Sequence, residues 1–148
     1  MHLIARLVIT SLVTAASALS ATAFAADAIP AAPDLIGYCP VAYVAVGKPV
    51  KGDLHFVSTV AGHTYWFVNA DAKKAFDTDP SKYRVACDGY CAFAAAKGFV
   101  FPGDPQFFSV RAGTIYFFVN AETKQAFDQD ATMAAIAEKA WPALAPKK

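Results

Sequence analysis

A chain of 148 residues with 13 basic and 12 acidic side chains is nearly neutral. It lacks the basic stripe that releases counterions from a phosphate backbone, which makes nucleic acid and anionic membrane surfaces poor partners. No Ser-His-Asp set, phosphate loop or dinucleotide fingerprint is present, so the commonest hydrolytic and nucleotide chemistries have no foothold in it.

Residues 1–25 carry Arg6, an apolar run over 7–19 and the small-residue triplet Ala23-Phe24-Ala25. This is the pattern of a cleavable secretory signal, and the apolar run is shorter than the ~20 residues that span a bilayer. Of the 13 basic groups only Arg6 lies there, so cleavage leaves a balanced chain with 12 acidic residues in the periplasm and no stable membrane anchor. Residues 26–36, rich in Ala and Pro as far as Pro33, read as a flexible leader, 37–142 as the folded part and 143–148 as a tail.

Within the folded part, β-branched and aromatic residues over 56–60 and 64–68, joined by Ala61-Gly62-His63, predict a β-hairpin. Asn69 offers a side-chain oxygen as N-cap, Asp71 complements the helix dipole, and Ala72, Ala75 and Phe76 form an apolar stripe, which predicts a helix over 70–78 stopped by Pro80. Residues 90–97 are alanine-rich and end at Gly98, which predicts a short helix with a glycine C-cap. A second hairpin over 107–119, a second helix over 121–129 behind Asn120, and a last helix over 132–141 halted by Pro142 complete the chain.

The second half repeats the first. Residues 63–79 align without a gap on 114–130, and Gly52-Asp53, Phe56, Ser58 and Ala61-Gly62 fall on Gly103-Asp104, Phe107, Ser109 and Ala112-Gly113. With one residue slipped, Gly37-Tyr38-Cys39 falls on Gly89-Tyr90-Cys91, and about half of the aligned positions are identical. The expectation is one α+β domain of two pseudo-symmetric units, 37–83 and 87–142, each a hairpin followed by a helix.

Pro40-Val41, Tyr65-Trp66-Phe67, Ala75-Phe76 and Asp79-Pro80-Ser81-Lys82-Tyr83 resemble the YHS domain. The chain is similar to an exported, duplicated subgroup that opens on Gly-Tyr-Asp-Pro-Val-Ala-Tyr and carries a later Gly-Gly-Tyr-Cys-Ala-Tyr. Here these read Gly37-Tyr38-Cys39-Pro40-Val41-Ala42-Tyr43 and Asp88-Gly89-Tyr90-Cys91-Ala92-Phe93. The resemblance implies two YHS-like units and metal handling. The positions where metal-associated versions carry cysteine are Ala42, Val68 and Ala72 in this chain.

Three cysteines do carry candidate chemistry: Cys39, Cys87 and Cys91. In an oxidising compartment thiols pair or hold metal. Cys87 and Cys91, four apart, would share a face of a helix containing both, and Cys39 is the repeat partner of Cys91. Three converging sulfurs would suit copper first and zinc second, with His55 and His63 as further ligands if they face each other across the hairpin. A Cys39–Cys91 or Cys39–Cys87 disulfide tying the units together, with the third cysteine buried, is one alternative and simple buried thiols are another; for the histidines the alternative is two solvated side chains.

Most of the aromatics, Tyr65, Trp66 and Phe76 with their repeats among them, read as core by alternation, with a small apolar pocket between the units as a second possibility. Asp77, Asp79, Asp128 and Asp130, at the helix ends, read as turn formers. The functional expectation is a periplasmic, non-enzymatic binding protein taking a soft metal ion. Its alternative is a disulfide-stabilised module that presents a surface or pocket to an envelope protein or a small ligand, with no metal.

Overall fold

Residues 34–147 are described in a computed structural model of the chain. The signal segment expected over 1–25 and the leader as far as Pro33 lie outside the described residues. The rest of the expected leader does not behave as one. Asp34–Gly37 is a tight turn with Leu35 and Ile36 in the left-handed region (φ 57° and 53°), and both carboxylate oxygens of Asp34 bind residues of the first hairpin.

After that turn comes a short helix, α1 (Pro40–Ala45), which the sequence reading missed. Proline at the first helical position is preorganised for it, since the missing N–H would have no partner there. The strands β1 (Asp53–Val60) and β2 (His63–Phe67) pair antiparallel, with Val57 opposite Trp66, Ser58 opposite Tyr65 and Val60 opposite His63. Ala61 and Gly62 both take positive φ (51° and 83°), as the turn that matches strand twist requires. The register slips between Asp53 and Val57.

Next, α2 (Ala70–Thr78) starts where the sequence indicated, because the Asn69 side chain accepts the Ala72 amide at 2.8 Å. The Ser58 hydroxyl donates to Asp77 and so ties the helix to its hairpin.

The chain then makes turns at Pro80–Tyr83 and Ala86–Gly89 and enters α3 (Ala92–Ala96). The strands β3 (Asp104–Arg111) and β4 (Thr114–Phe118) follow with the same pairing, Ser109 opposite Tyr116, and the same slip between Asp104 and Phe108. Before α4 (Ala121–Gln129), Asn120 and Thr123 cap each other's amides, and Ser109 donates to Asp128 as Ser58 does to Asp77. The last helix, α5 (Met133–Leu144), runs through Pro142 instead of stopping at it. Proline there removes a single donor, and the next bond, from the Ala145 amide to the Trp141 carbonyl at 2.8 Å, carries the last turn onward.

These elements form one α+β domain with two separate two-stranded hairpins. Its interior has three parts. Cys39, Val41, Ala42, Phe67, Ala72 and Phe76 make the first core. The second is larger because α5 adds Met133, Ala137 and Trp141 to Tyr116, Phe118 and Phe127.

Between them Tyr43 of α1 packs on Ile115 and Phe117 of β4. Its ring meets Phe108 and Phe117 edge-on at 4.7 and 5.2 Å, and its hydroxyl donates to the Pro105 carbonyl at 3.0 Å. With Tyr43 on one face and α5 beyond the other, every residue of β4 is buried, whereas β2 keeps three of its five residues partly exposed. No helix among the described residues is long and apolar enough to cross a membrane.

Candidate functional site

The three thiols do not form one group. Cys39 precedes α1, is fully buried and belongs to the first core. Cys91 caps α3, its Sγ accepting the Ala94 amide at 3.5 Å, and it lies with Cys87 in the second core. The shared helix face expected for Cys87 and Cys91 does not exist, because α3 begins only at Ala92. Cys87 sits in the left-handed turn at φ 51°.

All three cysteines are free and buried, and neither expected disulfide is formed. Among the described residues no group of three or more His, Cys, Asp or Glu side chains is arranged to hold a metal ion.

Burial, reinforced by the negative charges of Glu138 and Asp88, pushes the Cys87 thiol up to about 12. Since the thiolate is the nucleophile, such a sulfur is inert at neutral pH. Iodoacetamide at pH 8 is therefore expected to label none of the cysteines in the native protein and three after unfolding in urea without reductant. Mass spectrometry reads this directly, and a single label on the unfolded chain would show that two thiols are joined.

The two histidines also part company. His55 is exposed in the irregular stretch of β1 and bonds Asp53 at 2.6 Å. His63 pairs across the turn with Val60, not with His55, because the two-residue turn Ala61-Gly62 sets Val60 opposite His63 and leaves His55 further down β1, in its irregular stretch. Its ring is largely covered, with Nδ1 3.2 Å from Asp34 and Nε2 4.0 Å from Asp88. Of the candidate metal ligands, His63 lines an open cavity on which other charged groups converge, and Cys91 lines a more apolar groove.

That cavity is a cleft of about 270 Å3 between the first hairpin and the segment that leads to the second half. Val60, Tyr65, Phe76 and Val85 supply apolar walls, while Asp34, His63, Arg84 and Asp88 supply the charged groups. A neighbouring groove shares Asp34, His63 and Asp88, which therefore mark the junction of the two openings. Burial, with Asp34 and Asp88 nearby, raises the Tyr65 hydroxyl to about 12.

The repeat explains why the cleft is there. Tyr65 and Phe76 correspond to Tyr116 and Phe127, whose rings are packed in the same way, with centroids 5.3 Å apart in the first half and 5.2 Å in the second. In the second half α5 lies over them. Met133, Ala137 and Trp141 join their core, and Glu138 accepts from the Tyr116 hydroxyl. In the first half the corresponding stretch of chain is the turn Pro80–Tyr83 followed by an extended crossing, in which the Arg84 carbonyl accepts the Ile115 amide at 2.8 Å. Among the described residues no helix closes that side, and the space is left as a cleft.

A second, more apolar groove of about 360 Å3 lies under Phe99 and Phe101, beside Val119. No charged pair converges on it.

No family model, curated protein or solved structure matches this chain. Asp34, Arg84 and Asp88 are charged cleft residues to which the sequence analysis assigns no site, whereas it reads Tyr65 as core with an apolar pocket as the second possibility. The available signal was the repeat itself: Thr114 stands where the first half has His63, and a 12-residue helix in the second half has no counterpart in the first.

Proposed function

We propose that this chain is an exported, non-enzymatic binding protein of two YHS-like units, and that a small ligand occupies the cleft beside Tyr65 and Phe76. Export rests on the pattern of residues 1–25, and the YHS-like assignment on the repeated motifs. The binding reading is carried by one observation: the aromatic floor that α5 seals in the second half stands open in the first, with polar groups converging on its rim. Concave sites with apolar walls and a few convergent polar groups are where small molecules bind. The placement of the thiols in two different cores does not favour copper or zinc as the ligand.

A fragment screen read by amide and aromatic NMR shifts tests this. Hits are expected to perturb Tyr65, Phe76 and Val85, and Val60→Trp, which places an indole in the cleft from an exposed position, is expected to abolish those shifts while leaving the melting temperature within a few degrees. Perturbations gathered instead around Phe99 and Phe101 would move the binding surface to the other groove and defeat the proposal.

A further inference from the structure

Resting on that cleft as the binding site, the geometry points to its ligand class: a small organic cation, a primary ammonium carried on an apolar or aromatic body. The argument is a count of donors and acceptors. Of the charged groups at the cleft, Arg84 is already engaged, its Nη2 lying 2.8 Å from Glu138 and 3.1 Å from the Thr114 hydroxyl. Lys147 lines only the adjoining groove.

Two carboxylates are left. Asp34 accepts the Thr64 amide at 2.6 Å and His63 Nδ1 at 3.2 Å. Asp88 accepts the Trp141 indole N–H at 3.1 Å through one oxygen. The Thr64 amide and the Trp141 indole are neutral donors and hold the carboxylates in place without cancelling their charge.

His63 makes the requirement specific. A carboxylate accepts only, so Nδ1 must be the donor toward Asp34. With the imidazole neutral, Nε2 is then an acceptor, and it faces the second Asp88 oxygen across 4.0 Å. Two acceptors separated by that distance leave room for a donor that reaches both. A primary ammonium has three N–H groups and a positive charge that answers the pair of carboxylates. Tyr65, whose ring stacks on His63 with centroids 6.3 Å apart, borders the same space, and Val60, Phe76 and Val85 receive the apolar body.

The test uses phenethylammonium chloride, with 2-phenylethanol and phenylacetate as near-isosteric neutral and anionic probes. Each is titrated into the protein at pH 8, above the ordinary histidine range, and followed by NMR shifts at Tyr65, Phe76 and Val85. The ammonium is expected to bind at least tenfold more tightly than the alcohol or the acid, and Asp88→Asn to weaken it at least tenfold. Asparagine tolerates the left-handed backbone at 88 and keeps an acceptor for Trp141, so this variant retains the fold.

If the alcohol or the acid perturbs the cleft as strongly, or Asp88→Asn leaves the ammonium's affinity unchanged, the cationic class is wrong while the cleft still stands as a site. If none of the three probes shifts a cleft resonance, both readings fall together.

Discussion

Gly103→Ala is expected to destabilise the fold by about 3 kcal/mol, a fall in melting temperature of roughly 10–15 °C, and Gly52→Ala to do the same from the other half. A Cβ at Gly103 would lie 2.5 Å from the Gly89 carbonyl oxygen and 2.6 Å from the Phe117 Cβ, and one at Gly52 would lie 2.4 Å from the backbone of Trp66. These are backbone and Cβ atoms, not the ends of flexible side chains, so relief requires moving a strand. The same glycines donate their amides to the Gly89 and Gly37 carbonyls, at 3.2 and 2.8 Å, so the displaced backbone also loses a bond across each unit. Gly47→Ala is the comparison: nothing lies within 4 Å of its added carbon, so its cost is limited to the positive φ of 62°, about 1 kcal/mol. Thermal melts in which Gly52→Ala and Gly103→Ala behave like Gly47→Ala would show that the close approach is not required.

Stability is expected to fall steeply above pH 10. Cys87, Tyr65 and Tyr116 are each raised to about 12, and Tyr43 still higher, burial being the first cause in every case. In the unfolded chain a thiol loses its proton near 8.5 and a phenol near 10. Between those values and the folded ones the unfolded state binds fewer protons than the folded state, so unfolding becomes easier as pH rises. The stabilisation is complete below the unfolded pKa values and is lost as pH climbs toward the folded ones.

Counting only Cys87 and Tyr43, a thiol and a phenol that burial holds protonated, the loss is about 3 kcal/mol per pH unit above pH 10. Urea midpoints measured from pH 7 to 11.5 should be flat to about 8.5 and then drop, and Cys87→Ala combined with Tyr43→Phe should flatten the drop. A midpoint unchanged from pH 8 to 11 would mean that these groups ionise in the folded state without penalty.

The parts of the fold that were legible in advance depend on neighbours in sequence. Asn69 and Asn120 announce α2 and α4 because an N-cap bonds an amide three residues on, and Ala61-Gly62 and Ala112-Gly113 announce the hairpins because two successive positive φ angles suit a glycine-containing pair. The misreadings have equally local causes. Pro142 removes one donor and does not stop α5, and the four-residue spacing of Cys87 and Cys91 is not helical because Cys87 and Asp88 adopt left-handed φ, which nothing but the glycine after them hints at. The candidate site was hardest to see. Asp34, His63 and Asp88 are far apart in the chain, and Asp34 belonged to a stretch whose composition suggested no structure at all.

The amino-acid sequence alone determined the hairpin-helix pattern and its recurrence in both halves, because turn geometry, capping and side-chain alternation act over a few residues. Only the tertiary structure decided that the two hairpins end up in different surroundings. One hairpin has β4 covered on both faces by α1 and α5, and the other keeps an open flank at Tyr65. Burial is a contest among distant segments for the same apolar surface, and the helix that wins it in the second half has no equivalent in the first.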